Sequence, residues 1–249
     1  MRLFWHEVKG NQRLFWRSRE LAFFTFLLPI FFLILLGSTY GGDKIEGVKG
    51  SRYLLAGLLG YGAAATVFAG LSIVTVVRRE DGILKRLRGT PLPAGTYLTA
   101  VLASTLIVYA LEAVIMIVLG RAMFDIPLPT HVLSVVLILL LGGLAFAALG
   151  LAATAAVRTA EGSSAVINAL YLPMSFVSGA FFSPHSFPKF LRALADVLPL
   201  TYLIRLLRDV LLHGADIWSR PGSVAVLVAW GLVGLLMAVR TFRWEPSEG

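Results

Sequence analysis

Few side chains in this sequence could do chemistry, and the densest group lies at Val76–Gly95, VVRREDGILKRLRGTPLPAG. Five cations (Arg78, Arg79, Lys85, Arg86, Arg88) and two acids (Glu80, Asp81) stand there between long apolar runs. Ile83, Leu84 and Leu87 recur at helical spacing, the later cations turn to another face, and Gly89-Thr90-Pro91 stops the pattern. This predicts a short amphipathic helix lying on a membrane surface. A solvated charged turn that only sets topology is the plainer alternative. Glu112 is an isolated acid inside an apolar run, where an ionisable group faces protein, a cavity or water. It reads either as an interhelical hydrogen bond or as a group used in transport. His6, His131, His185 and His213 have no partner at metal-ligand spacing. There is no Gly-x-Ser-x-Gly elbow and no phosphate-cradling Gly-x4-Gly-Lys-Ser/Thr loop. The absence of cysteine removes thiolate catalysis and disulfides. An enzyme reading therefore has little support. If the chain moves a solute, its energy comes from an ion gradient or from another polypeptide.

The elements that must position these residues are membrane-spanning. Only 14 % of the 249 residues are charged and 57 % are hydrophobic, whereas soluble domains carry about a quarter charged residues. The fold class expected is an all-α integral membrane protein forming one transmembrane domain. The net charge of +8 does not point to nucleic acid, because the basic residues sit at the ends of apolar runs and meet headgroups and cytosol instead. Residues 1–20 read as an amphipathic interfacial helix with Trp5 and Trp16, and not as a cleaved signal. Six spans are expected, at 21–40, 53–77, 96–119, 131–157, 165–182 and 220–242, with the charged loop at 78–95. The second and fourth are rich in Gly and Ala, which permits close helix contact in lipid. Residues 183–219 read as an extracellular element of broken or re-entrant helices, because Leu191–Leu212 is interrupted by Pro199 and carries five charges. If that stretch crossed, the count would be seven. Glu245–Gly249 reads as a frayed tail. The Lys/Arg distribution favours both termini in the cytoplasm. In the fifth span Asn168, Ser175 and Ser178 approach one face, with Tyr171 and Gly179 beside it. They either line a path or dimer interface, or act as polar glue between helices.

The whole chain resembles the ABC-2 type transporter permeases, the membrane subunits of bacterial and archaeal exporters. Three features carry the likeness: the basic amphipathic N-terminus ahead of a first span with a central Pro29; VVRREDGILKRLRGTPL at Val76–Leu92; and Tyr171–Arg208, YLPMSFVSGAFFSP…FP…LPLTYLIRLLR. The resemblance implies a homodimeric or heterodimeric pair of permeases on two ATP-binding subunits, which hold the ATP and Mg, with no cofactor in this chain. It implies a coupling helix at Glu80–Arg88, with Glu80, Asp81, Leu84, Arg86, Leu87 and Arg88 meeting the ATPase. Arg13 and Arg17 would lie at the end of a connecting helix beside it. The first outer loop is short, unlike variants with an inserted extracellular domain, and Phe182-Ser183 stands where many members have Phe-Pro. The function expected is permeation of a drug-like, lipophilic or lipid-linked substrate across the cell (cytoplasmic, inner) membrane, with polysaccharide as another cargo. An ion-coupled secondary transporter and a non-transporting remodelling or sensor-associated subunit are the competing classes.

Overall fold

The computed structural model describes residues 1–40 and 42–245, and nearly all of them are helical. α1 (Arg2–Arg17) turns at Ser18 directly into α2 (Arg19–Tyr40). Two short strands follow, β1 (Lys44–Ile45) and β2 (Val48–Lys49), antiparallel with Lys44 opposite Lys49. Glu46 and Gly47 both have positive φ between them, the hand of two-residue turn that matches strand twist. From Gly50 the chain runs unbroken to Glu80: α3 (Gly50–Gly62), a π-helical segment (Ala63–Gly70) and α4 (Leu71–Glu80). Then come α5 (Ile83–Arg88), α6 (Ala94–Phe124), α7 (Val132–Ala153), α8 (Ala160–Val177), α9 (Lys189–Ala195), α10 (Pro199–His213) and α11 (Pro221–Thr241).

The Gly50–Glu80 helix is the centre of the bundle and is mostly buried, whereas α2 and α11 leave most of their length exposed. Its small residues explain why. A Cβ at Gly57 would lie 2.1 Å from the backbone oxygen of Ala180, so only glycine admits that chain so close. Lipid tails offer helices no hydrophobic drive to associate, and such close backbone packing replaces it. α2, α6, α7, α8 and α10 surround this helix, and α11 lies along α7.

Among the described residues five helices are long and apolar enough to cross a membrane: α2, Gly50–Glu80, α6, Val132–Ala156 and α11. A sixth, expected at 165–182, does not stand out by length and composition. α8, expected as the fifth span, is a regular 18-residue helix, but Glu161, Ser163, Ser164 and Asn168 make its first half polar. The element at 183–219, expected as broken or re-entrant helices, is broken in the structure. α9 and α10 are separated at Asp196–Leu198, and Pro199 opens α10 at a position where no N–H is needed. Fifteen residues span about 22 Å, too short for a hydrocarbon core of about 30 Å. Yet α10 is buried along most of its length against α3, α7 and α11. It is a short helix packed into the bundle, with only Tyr202 and Arg205 among its first ten residues partly open.

α1 packs on α6, where the Gln12 side-chain amide donates to the Ser104 backbone oxygen (2.8 Å) and to its hydroxyl (3.1 Å). Leu3, Trp5, Leu14 and Trp16 of α1 stay exposed. The tail from Pro246 onward, and Gly41 of the first loop, lie outside the described residues.

Candidate functional site

The charged loop is built on the end of α4. Ser72, Val76 and Arg79 follow one another at helical spacing along the buried side of that helix, so the arginine points inward and is 2 % exposed. Its guanidinium donates to the backbone oxygens of Val157 (2.5 Å) and Thr154 (3.1 Å), and to Glu80 Oε1 (2.8 Å). Thr154 belongs to the turn that ends the α7 helix, where carbonyls lack intrahelical donors and carry partial negative charge. Arg78 leaves the helix on another side and donates to Asn11 Oδ1 (2.8 Å) and the Tyr97 hydroxyl (2.9 Å). Adjacent arginines therefore tie two different bodies to α4: Arg79 holds the end of α7, and Arg78 holds α1 and the start of α6.

Gly82, at φ +69°, then reverses the chain. The short helix starts at Ile83, not at Glu80 as expected. Glu80 closes α4 and pairs with Arg79, and Asp81 is the C-cap of α4, its N–H bonded to the Val77 oxygen (2.9 Å). Neither acid serves the dipole of α5, because the left-handed turn separates them from it. Leu84 is fully buried and Leu87 packs on the core, which pins the helix down. Asp81, Ile83, Lys85 and Arg86 face outward, and Arg86 donates to the Asp81 backbone oxygen (3.1 Å). The side chain of Arg88 lies outside the described ones. Arg13 and Arg17 are exposed on α1, the helix that Arg78 holds. The result is an exposed, mainly basic ridge on a short helix with a buried leucine anchor.

Deep in the bundle Glu112 is 3 % exposed, and its Oε2 accepts a hydrogen bond from the Thr66 hydroxyl (2.6 Å). Thr66 lies in the π segment, so the acid joins α6 to the most irregular part of the central helix. One turn earlier the Tyr109 hydroxyl donates to the Leu59 oxygen (2.9 Å).

The five residues singled out on the fifth span do not share an open face. Ser175 is buried with its hydroxyl on the Tyr171 oxygen (2.8 Å), and Ser178 is buried with no partner among the described residues. Gly179 turns the chain at φ +85° and accepts from Arg208 Nη2 (2.5 Å). Asn168 and Tyr171 are half-buried at the border of this packing. The exposed side of α8 carries Val166, Leu170, Leu172 and Phe176 instead.

At the opposite end, where Gly50 begins the central helix, a cavity of about 370 Å³ opens between the β turn, α9, α10 and the start of α11. Arg208 lies there with its guanidinium 3.6 Å from the Tyr53 ring centre. Nearby, Asp216 accepts from the Ser134 hydroxyl (2.5 Å) and the Ile217 N–H (2.6 Å), and these bonds hold its carboxyl below the usual range.

The long apolar helices are those of a multi-pass membrane protein. The family model described as "ABC-2 type transporter" matches residues 2–212, and the chain belongs to that family, as the resemblance implied. Members of the family normally work with an ATP-binding subunit. The chain is 27 % identical over 250 residues to "Nodulation protein J" of Bradyrhizobium diazoefficiens, covering 96 % of this chain and 92 % of that one. It is 21 % identical over 223 residues to "Putative transport permease YvfS" of Bacillus subtilis, covering 89 % of each. It is 27 % identical over 231 residues to "Daunorubicin resistance ABC transporter permease protein DrrB1" of Streptomyces coeruleorubidus, covering 87 % and 77 %.

Proposed function

We propose that this chain is the membrane subunit of an ATP-driven exporter, and that α5 is where force from a separate ATP-binding subunit enters it. The observation that carries this reading is the double tether. A ridge exposed to a partner sits on a helix pinned by Leu84, and Arg78 and Arg79 immediately before it hold α1, α6 and α7. A push on Ile83, Lys85 and Arg86 would move those helices as a body. Arg13 and Arg17 extend the docking surface on α1, which lies in the interface with its indoles at headgroup level.

In this reading two permeases, identical or not, stand on two ATP-binding subunits that hold the ATP and Mg, and this chain performs no catalysis itself. α8 is counted as a sixth crossing, with Ser163 and Ser175 turned to the protein and Glu161 and Ser164 near its exposed start, and both termini then lie in the cytoplasm of a cell membrane. The cargo class favoured is an amphiphile, drug-like, lipophilic or lipid-linked. Support comes from the apolar exposed side of α8 and from a relative whose name refers to daunorubicin resistance. Ion coupling is disfavoured because Glu112 is already engaged by Thr66.

The test is charge reversal of the ridge. Lys85→Glu with Arg86→Glu, in chain co-expressed with its ATP-binding subunit, should abolish co-purification and lower cargo-stimulated ATP hydrolysis about tenfold or more. Arg121→Glu at the opposite end should change neither. Unchanged stoichiometry and hydrolysis in the double variant would remove α5 as the docking point.

A further inference from the structure

We propose that the cavity at the end opposite α5 binds a phosphate group. Four guanidiniums line it, those of Arg192, Arg205, Arg208 and Arg220, against the three carboxylates of Glu46, Asp196 and Asp209. Two of the arginines are already neutralised: Arg205 pairs with Asp196, and Arg220 with Asp209. Glu46 meets the Tyr53 hydroxyl (3.0 Å), the Ser183 hydroxyl (2.5 Å) and His185 (3.8 Å) through one oxygen, Oε1, and its charge also acts on Arg208 without a direct ion pair. Arg192 and Arg208 make no ion pair among the described residues.

Their surroundings differ in a way that suits an incoming anion. Arg192 is exposed on α9, and its Nε donates to the Phe187 oxygen (2.8 Å), which leaves the outer nitrogens of its fork to the cavity. Arg208 is 8 % exposed and held from two sides, by the Tyr53 ring and the Gly179 oxygen, while its Nε is buried without any acceptor among the described residues. That Nε is closed to solvent, so an incoming anion meets the outer fork of Arg208, where Nη2 holds the Gly179 oxygen and Nη1 has no hydrogen bond among the described residues. Arg192 and Arg208 come from different helices. Two such forks are satisfied together by a group with tetrahedral oxygens, whereas a carboxylate has only the two that one fork takes.

The cavity is larger than a bare phosphate requires and has the size of a small-molecule site. Its surroundings also point to the membrane. Phe190 and Leu194 of α9, Val197 just after it and Trp218 are exposed apolar side chains, and a tryptophan of this kind sits at headgroup depth. The phosphate fits best as the head of an amphiphile whose tails lie along α9. This site stands or falls separately from docking at α5, since binding to it needs no ATP-binding subunit.

The experiment measures binding to the full chain in an uncharged-headgroup detergent, with three probes: dihexanoyl phosphatidylglycerol below its micelle concentration, inorganic phosphate, and dihexanoylglycerol, which lacks the phosphate. The lipid should bind saturably, the uncharged analogue should not, and Arg208→Gln should weaken the lipid about tenfold or more. Because Arg208 also holds the Gly179 turn, Arg192→Gln serves as the second variant, in an exposed side chain whose one hydrogen bond among the described residues is to the Phe187 oxygen. It too should weaken binding about tenfold with an unchanged unfolding midpoint. Equal affinity for inorganic phosphate would support the site and assign it to the free ion. No saturable binding of either phosphate carrier, equal binding of dihexanoylglycerol, or unchanged affinity in Arg192→Gln would overturn the proposal.

Discussion

Replacing Arg79 by methionine keeps an unbranched apolar stem in place of the arginine's and removes every polar contact it makes. Two backbone oxygens at the end of the α7 helix, those of Thr154 and Val157, lose their donor, and both residues are 2 % exposed. A buried carbonyl left without a partner costs about 1–3 kcal/mol. Glu80, only 16 % exposed, also loses its ion pair. Against these losses stands the desolvation of the guanidinium, which methionine relieves. Two carbonyls partly offset by that relief give a net destabilisation of about 2–4 kcal/mol. Arg79→Lys retains the charge but, as a point donor, reaches fewer of the three acceptors and should cost about 1–2 kcal/mol. Reversible unfolding in mixed micelles measures both. A second readout separates a strut from a docking residue: Arg79→Met should still co-purify with the ATP-binding subunit, because Ile83, Lys85 and Arg86 are untouched, while cargo-stimulated hydrolysis falls. A methionine variant as stable as the parent, or a lysine variant as damaged as methionine, would refute the assignment of the arginine to the end of α7.

Gly57→Ala places a Cβ 2.1 Å from a backbone oxygen that cannot swing aside, and unfolding should show a loss of about 1–3 kcal/mol. Gly10→Ala meets nothing within 4 Å inside α1 and should be neutral or gain about 0.5–1 kcal/mol in the same assay. Glu112→Gln keeps an oxygen for the Thr66 hydroxyl and should leave transport intact, whereas Glu112→Leu orphans that hydroxyl at about 1–3 kcal/mol; a transport-dead glutamine variant would return the acid to an ion-coupled role. The Asp216 carboxyl is depressed in the folded state by its two donors, so its contribution to stability is present above the ordinary carboxylate range and lost as pH falls below about 4. Asp216→Asn should flatten that acid limb of the midpoint-against-pH curve, and an unchanged limb would count against it.

Hydropathy located the long helices well because lipid imposes one composition on anything that faces it. Its signal is weakest at α8, where Glu161, Ser163, Ser164 and Asn168 dilute the apolar run: Ser163 is buried against the protein and Asn168 half-buried. The leucine spacing at Leu84 and Leu87 was enough to predict α5. Its start was misplaced because Glu80 and Asp81 stand before it as acids do before a helix, while the left-handed turn at Gly82 assigns them to the preceding one. Arg78 and Arg79 are indistinguishable by composition. Carrying the period of Ser72 and Val76 forward would have sent Arg79 inward, and that signal was available. The Thr66–Glu112 bond joins residues 46 apart and left no local mark. Arg208 is buried because the Tyr53 ring and the Gly179 oxygen, from other parts of the chain, await it.

The π-helical winding from Ala63 to Gly70 bears on how the family's chains can change length. Losing one residue from an ordinary helix turns everything beyond it by about 100°, and here that would swing Arg79 away from α7 and rotate α5 off its leucine anchor. A π turn holds more residues per turn than an α turn. It is thus the stretch of the core where a residue can be dropped by tightening the coil, with the least rotation of α4 and α5 beyond it. The segment is in this sense a length reserve: it keeps the phase between the half of the helix that touches Ala180 and the half that ends in the two arginines, and insertions or deletions among relatives should gather at these eight positions.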